Sequence, residues 1–247
     1  MVEMPMEMQN QVMGYDRTAT MFSPDGHLLQ VEYAEKTVRL GSSSIGFVCS
    51  DGILIIADRR TRDKLLVNES ANKVYEIDEH IISSAAGILS DARVLVERAQ
   101  LFSQQHRVTY DTGIDVESVI KEISNIKQMS TQYGGIRPFG VSMMIVGISR
   151  DRGKLFVSDV TGNYFGYTAS AIGENDEKIK EMLKEGYKPE STVEDALKLG
   201  MKIFKKILGK NFNVERFDVG YVKIPDKKLK RMKEDELKKY AKWEIRW

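Results

Sequence analysis

Short apolar runs alternate with polar turns in the first third of the chain. After the turn Ser23-Pro24-Asp25-Gly26, the spacing of apolar positions predicts a helix from Leu28 to Leu40, which Gly41 ends. Two pairs of apolar, β-branched segments follow. Within each pair, a polar turn such as Ser50-Asp51-Gly52 separates the two segments. The predicted strands cover residues 42–49, 52–57, 73–77 and 80–86. This part is therefore expected to form antiparallel hairpins.

After Ser90 the apolar positions take a helical period. Two consecutive amphipathic helices are predicted, with apolar faces marked by Ala92, Leu95, Ala99 and Phe102 and by Val116, Val119, Ile120, Ile123 and Ile126. Gly134-Gly135 is expected to break the second helix. Strand patterns return at residues 141–148, 155–159, 164–167 and 170–172, followed by helices at 177–185 and 193–208 and a strand at 219–224. The middle four strands are enough for a second sheet.

This order of elements predicts an α+β fold. Each amphipathic helix has one apolar stripe to bury, so two sheets packed face to face, each covered outside by a helical pair, would satisfy the pattern. The chain shows no fixed-period repeat and no low-complexity linker. We therefore expect a single domain over residues 1–247.

The charged tail, residues 226–247, is predicted to be a solvated amphipathic helix docked on the body. Its apolar residues at roughly helical spacing are Leu229, Met232, Leu237, Tyr240 and Trp243. A nucleic-acid patch is the alternative, but the acidic run 234–236 weakens it because phosphate binding favours unopposed positive charge.

Composition narrows the function classes. Lys and Arg number 37 against 36 Asp and Glu, so the net charge of +1 gives no global attraction to nucleic acid or to a membrane surface. The lone Cys49 excludes an intramolecular disulfide, and the histidines at 27, 80 and 106 lack metal-ligand spacing. With neither a membrane span nor a signal peptide in the pattern, we expect a soluble cytoplasmic protein without metal or cofactor.

Several motifs resemble one family closely. The segments Tyr15-Asp16-Arg17, Phe22-Ser23-Pro24-Asp25-Gly26 and Gln30-Val31-Glu32-Tyr33-Ala34 resemble the opening signature of archaeal proteasome α subunits. The same family is matched by the runs 57–60, 86–93, 131–140 and 169–173, so the resemblance covers most of residues 15–224.

The resemblance implies a four-layer α/β/β/α sandwich of the N-terminal-nucleophile type. It implies homo-heptameric rings that cap inner rings of proteasome β subunits and pass unfolded protein to them. Residues 1–19 would form a mobile gate, and residues 23–41 would hold the extra N-terminal helix over the cleft that is the active site in β subunits. The chain itself would be non-catalytic.

A catalytic alternative rests on the first hairpin. Alignment with a β subunit places Ser42 at the position of the nucleophilic Thr, Gly41 before it, Asp58 at the supporting acid and Lys73 near the supporting lysine. That chemistry needs a freed α-amine as base, whereas the 41 residues before Ser42 match a retained α-type extension. The rival functions are therefore a self-processed hydrolase and a stand-alone ring chaperone that never meets β subunits.

The resemblance also implies three sets of site residues. The gate set is Tyr15, Asp16, Arg17, Pro24 and Tyr33, for which an ordinary surface turn with an ion pair is the alternative. Lys73, with Gly41, Leu28, Val31 and Ile88, would line an inter-subunit pocket that receives the C-terminal carboxylate of AAA+ ATPase activators. In the absence of such a pocket, Lys73 would be a solvated lysine. Tyr133, Gly134 and Gly135 would form the channel rim, which is compatible with a plain helix stop.

Overall fold

The computed structural model describes residue 10 and residues 12–60 and 65–241. In chain order the helices and strands are α1 (Leu29–Leu40), β1 (Ser44–Val48), β2 (Gly52–Asp58), β3 (Val74–Asp78), β4 (Ile81–Gly87), α2 (Leu89–Tyr110), α3 (Val116–Ser130), β5 (Val141–Ser149), β6 (Arg152–Ser158), β7 (Tyr164–Tyr167), β8 (Ala169–Ile172), α4 (Asp176–Gly186), α5 (Val193–Leu208), β9 (Phe217–Lys223), β10 (Leu229–Arg231) and α6 (Glu234–Ala241).

The strands form two five-stranded antiparallel sheets. Sheet 1 has the order β10-β9-β2-β1-β8, and sheet 2 has the order β3-β4-β5-β6-β7. The predicted first hairpin is confirmed, because Val48 pairs with Ile53 across the Ser50-Asp51 turn. The second hairpin is confirmed as the pair β3 and β4.

Apolar side chains fill three layers, which makes the fold a four-layer sandwich. One layer lies between the two sheets, a second between sheet 2 and the helices α2 and α3, and a third between sheet 1 and the helices α4 and α5. All nine residues of β5 are buried, as expected for a central strand covered on both faces. The four-layer α+β prediction is confirmed.

The grouping of the middle strands differs from the expectation. Strands β5 to β7 do not form a sheet with β8; they extend the β3 and β4 pair, whereas β8 crosses to the other sheet and pairs with β1. Alternation along a strand shows which face is apolar but not which strand will be its neighbour.

The tail also differs in part from the predicted helix. Residues 229–231 form β10, an edge strand on β9, because Arg231 forms an ion pair with the buried Asp218 and donates to the Val74 carbonyl oxygen at 2.6 Å. The helix begins only at Glu234 and docks through Leu237, which is buried. Trp243 lies outside the described residues.

The extra N-terminal helix is present as α1. Its Val31 and Ala34 are buried, and Gly41 ends it by donating its backbone N–H to the Thr37 and Val38 carbonyl oxygens. Of the segment predicted to be a mobile gate, residues 1–9 and 11 lie outside the described residues. In the part of the chain that the structure describes, no helix has both the length and the apolar character needed to cross a membrane.

Candidate functional site

The hairpin residues aligned with a peptidase site do lie together. Ser42 stands between α1 and β1, and Lys73 comes directly before β3. The Lys73 Nζ donates to the Ser42 Oγ and to the Ser42 carbonyl oxygen, both at 2.7 Å. Lys73 is only 2% exposed, so the solvated-lysine interpretation is wrong. Burial lowers the pKa of its ammonium to about 7, although the nearby charges of Asp58 and Asp218 act in the opposite direction.

Asp58 is turned away from this lysine. Its carboxylate accepts from Arg216 Nη2 at 2.6 Å and Nε at 3.0 Å, and from the Arg60 backbone N–H at 2.9 Å. Only its backbone carbonyl oxygen faces Lys73, at 3.5 Å. A carboxylate held on both oxygens by a buried guanidinium is a structural ion pair. Asp58 therefore has no free oxygen aimed at Ser42.

The gate residues surround the start of α1 without bonding to one another. A tight turn carries Tyr15, Asp16 and Arg17, and the Arg17 N–H donates to the Gly14 carbonyl oxygen at 3.1 Å. Within the described residues, the side chains of these three residues form no hydrogen bond or ion pair. Tyr33 lies on α1 beneath the Lys36 ammonium, which is 5.3 Å from its ring centre.

A glutamine that had no assigned role joins this turn to the helix. The Gln30 side-chain amide donates to the Asp16 carbonyl oxygen. Gln30 belongs to one of the motif segments, and its position in the first turn of α1 is the only sequence signal for this contact. Pro24 lies in the intervening turn, where the Gly26 N–H donates to the Ser23 carbonyl oxygen at 2.9 Å.

Four of the five activator-pocket residues fall into two groups within one chain. Gly41 packs so tightly against the end of β4 that an added Cβ would lie 2.2 Å from the Gly87 nitrogen, and Ile88 follows that strand. Leu28 and Val31 instead lie at the opposite end of α1, in an apolar cluster with Val160. Ten helical residues at about 1.5 Å each separate the groups by roughly 15 Å. Within one chain the two groups therefore lie apart.

The channel-rim residues lie in an exposed turn after α3. The helix ends at Ser130, four residues before the predicted Gly134 break, and Gly135 adopts a left-handed φ of +86°. No atom lies within 4 Å of a Cβ built on Gly134 or Gly135, so the turn is open to solvent. Tyr133 is also exposed.

An ion pair missed by the sequence analysis anchors the chain that follows this turn. Arg137 donates to both carboxylate oxygens of Asp91, at 2.6 and 2.7 Å, and Asp91 also accepts the Gly140 N–H at 3.0 Å. These residues belong to two of the motif runs, 86–93 and 131–140. The ion pair therefore joins the two runs in the folded chain.

A second buried lysine was also missed. Lys127 on α3 is fully buried, and its Nζ donates to the Val141 carbonyl oxygen at 3.0 Å, the Ser158 Oγ at 2.8 Å and the Asp159 carbonyl oxygen at 3.0 Å. These contacts tie the end of α3 to β5 and β6. Burial lowers the pKa of this ammonium to about 7, although Asp159 acts in the opposite direction.

Lys127 should make the stability of the fold depend on pH. Its pKa is 10.5 without burial, so between pH 7 and 10.5 the unfolded chain binds more protons than the folded chain. The free energy of unfolding should therefore rise with pH across this window, by at most about 1.4 kcal/mol per pH unit, and the gain should be lost as the pH falls to 7. In Lys127→Met this contribution disappears. Denaturant unfolding of both proteins at several pH values would test this, and a constant difference in stability between them would contradict it.

The described residues contain no group of three or more His, Cys, Asp or Glu side chains that could hold a metal ion. Cys49 is buried between sheet 1 and the helices that cover it, and burial raises the pKa of its thiol to about 12. A thiol in that state is a poor nucleophile and a poor metal ligand. The candidate chemistry of the described chain is therefore concentrated around Ser42, Lys73 and the surfaces near α1.

Comparisons with known proteins agree with the fold and with these motifs. The model of the proteasome subunit family matches residues 38–222, and the N-terminal signature of A-type proteasome subunits matches residues 15–36. The chain is 42% identical over 229 residues to a protein of Archaeoglobus fulgidus named as a proteasome alpha subunit, covering 93% of each chain. Proteins of the same name from Methanosarcina thermophila and Methanocaldococcus jannaschii are 39% and 40% identical, covering 93% and 91% of this chain and 93% and 86% of their own. The chain belongs to the proteasome subunit family and carries the N-terminal signature of its α-type members.

Proposed function

We propose that this chain is a non-catalytic α subunit of a proteasome core particle in the cytoplasm. In this proposal seven copies form an outer ring, residues before Tyr15 close its pore, and the ring admits unfolded protein to a chamber where separate β subunits hydrolyse it. The family match and the relatives named as proteasome alpha subunits support the general role.

The observation that carries the proposal is the integration of α1, which precedes Ser42, into the fold. The Thr37 Oγ1 donates to the Gly140 carbonyl oxygen at 2.8 Å, and the Arg60 guanidinium donates to the Leu40 carbonyl oxygen at 2.8 Å. Loss of α1 after cleavage before Ser42 would break these bonds and uncover the side chains that α1 buries. A hydrolase of the N-terminal-nucleophile type needs a free α-amine beside its hydroxyl, and an intact Gly41-Ser42 peptide bond withholds it.

Three surfaces would serve gating and docking. The side chains of Tyr15, Asp16 and Arg17, which have no partner among the described residues, would bond to those of neighbouring copies and order the open gate. The exposed Tyr133-Gly134-Gly135 turn would rim the channel, because glycine backbones can crowd around an axis and an aromatic ring can contact a passing chain. Activator tails would bind between copies, where Lys73 of one copy faces Leu28 and Val31 of the next.

Mass spectrometry of the denatured chain, purified after co-expression with proteasome β subunits, tests the non-catalytic role. We expect one species near the full 28.1 kDa. The Ser42→Ala variant should likewise remain full-length, which would show that the serine has no processing role. A wild-type product that begins at Ser42, and that Ser42→Ala abolishes, would instead establish the self-processed hydrolase. Native mass spectrometry of the same sample should show the ring with its β partners, whereas a ring that never binds them would indicate the stand-alone chaperone.

A further inference from the structure

The β5–β6 hairpin and the start of α3 enclose a groove, the hairpin groove, at one end of the sandwich. All eight residues that line it are polar or charged, and its volume is about 770 Å³. The charged ones are four basic and two acidic side chains: Lys121, Arg150, Arg152 and Lys154 against Asp115 and Glu117. Because the whole chain carries a net charge of only +1, this excess of positive charge is a local feature.

One of the four basic residues engages both acidic ones. The Lys154 Nζ lies 3.0 Å from each carboxylate oxygen of Asp115 and 4.0 Å from a Glu117 oxygen. Asp115 is also the N-cap of α3, where it accepts the Glu117 N–H at 2.9 Å. The other three basic residues have no acidic side chain within ion-pair distance among the described residues. The hairpin groove therefore presents positive charge that the fold itself does not balance.

The strand register turns this charge toward α3. Ser149 pairs directly with Arg152, so the two side chains point to the same face of sheet 2. The Ser149 Oγ accepts the Val116 N–H at 3.3 Å, which identifies that face as the one covered by α3. Lys121 lies on α3 itself. Basic groups from the helix, the turn and the strand thus converge on one groove.

Arg150 occupies a strained backbone position in the turn between the two strands. Arg150 and Asp151 have φ angles of +49° and +59°, where glycine or asparagine is usual because an L side chain crowds the backbone there. Asp151 pairs with Lys227 at 2.8 Å, which gives its side chain a role in the fold. Arg150 has no such ion pair within the described chain. A ligand in the groove would give a reason for an arginine at this position.

A second groove continues the path. It has a volume of about 660 Å³ and shares Ser118, Ser149 and Arg150 with the hairpin groove. Arg107 also lines it but is already paired with Asp78 at 2.6 Å. Together the two grooves offer more room than a single phosphate or carboxylate ion requires, so they suit an extended chain with several negative charges.

The mixture of groups in the lining favours a polypeptide. The acidic side chains of a bound peptide can accept hydrogen bonds from guanidinium groups, often two at once. Its backbone N–H groups can donate to the carboxylates of Asp115 and Glu117. A nucleic-acid backbone has no N–H donors for them, and acidic residues beside it oppose its phosphates.

We propose that the hairpin groove and its neighbour bind an extended acidic peptide segment of another protein. Lys121, Arg150 and Arg152 contact the carboxylates of that segment, and its backbone lies along the polar lining. Because both faces of this contact are charged and exposed, the affinity falls as the salt concentration rises.

This surface is separate from the sites of the proposed function. Strand β5 begins beside Gly87, against which Gly41 packs, and runs nine residues to Ser149 at the groove. Eight residue steps of about 3.3 Å separate the two ends by roughly 26 Å. Binding here requires neither a ring nor an activator pocket, so it can be measured on the chain alone and fails or succeeds independently of the proposed function.

Fluorescence anisotropy with a labelled peptide of ten glutamates tests the proposal on the full-length chain at low salt. We expect this peptide to bind and a peptide of ten glutamines not to bind. The double variant Arg150→Asn, Arg152→Gln should weaken binding about fivefold or more, as expected for the loss of two exposed ion pairs. Asparagine tolerates the left-handed turn position, so this variant should keep its fold, which circular dichroism checks.

The matched control is the double variant Lys178→Gln, Lys184→Gln. It removes the same amount of charge from exposed lysines on α4, which covers the other sheet, and it should bind like the wild-type chain. A loss below about fivefold in the groove variant, an equal loss in the control, or no binding by the wild-type chain would overturn the proposal. Tighter binding of an oligonucleotide of ten uridines, weakened by the same groove variant, would show that the groove takes phosphate backbones and that the peptide assignment is wrong.

Discussion

Replacing Arg216 by methionine is expected to destabilise the folded chain by about 3–5 kcal/mol, the usual cost of leaving one member of a buried ion pair without its partner. Asp58 is 3% exposed and Arg216 is 9% exposed, so water cannot replace the lost guanidinium. The Asp58 carboxylate would keep only the Arg60 backbone N–H as a donor among these contacts. Denaturant unfolding at neutral pH measures the loss.

A surface pair supplies the matched control for this substitution. Lys180 and Asp176 form an ion pair one helical turn apart on α4, and Lys180→Met should cost no more than about 0.5 kcal/mol. The double variant Asp58→Asn, Arg216→Met should recover part of the stability lost in Arg216→Met, because no buried charge is then left unpaired. A loss below about 1 kcal/mol in Arg216→Met would show that water or another cation reaches Asp58.

The second large effect is functional. Lys73→Met should abolish most of the activator-stimulated hydrolysis of a peptide substrate by particles assembled with β subunits, while the rings remain intact. A charged hydrogen bond to a terminal carboxylate is worth about 1.5–3 kcal/mol, so the affinity for an activator tail should fall by roughly tenfold to a hundredfold. The ammonium donates to the Ser42 Oγ and carbonyl oxygen, next to Gly41, which belongs to the proposed pocket.

Titrating a synthetic tail peptide that ends in a hydrophobic residue, tyrosine and any residue would measure this affinity directly. Lys127→Met is the matched control, since it removes the other buried lysine whose pKa burial lowers to about 7, at a site bonded to β5 and β6 instead. Lys127→Met should leave the activator-stimulated peptide hydrolysis unchanged. Stimulation that persists in Lys73→Met would remove this residue from the activator pocket.

Local features of the fold were predictable because they depend on neighbours along the chain. The helices followed from apolar positions at helical spacing, and the first hairpin followed from the Asp51-Gly52 turn, whose conformational needs do not depend on the rest of the molecule. The α-type extension was visible as a motif, and the structure shows α1 where the pattern placed it.

Contacts between distant parts of the chain were not predictable in this way. The pattern of Ala169–Ile172 marks an apolar strand, but only the packed structure pairs it with β1 rather than with the preceding strands. A lysine in a sequence is normally solvated, and Lys73 can be buried because the Ser42 oxygens, 31 positions earlier, accept its hydrogen bonds.

The sequence by itself thus determined the helices, the hairpins and the family of this protein, because periodicity, turn chemistry and motif letters are all local properties. Only the tertiary structure decided that the gate turn is joined to α1 by Gln30, that Asp58 pairs with Arg216, and that Lys73 is buried against Ser42. Those facts depend on which surfaces meet after folding. Which surfaces meet depends on burying apolar area and pairing charges across the whole chain at once, so no single segment determines it.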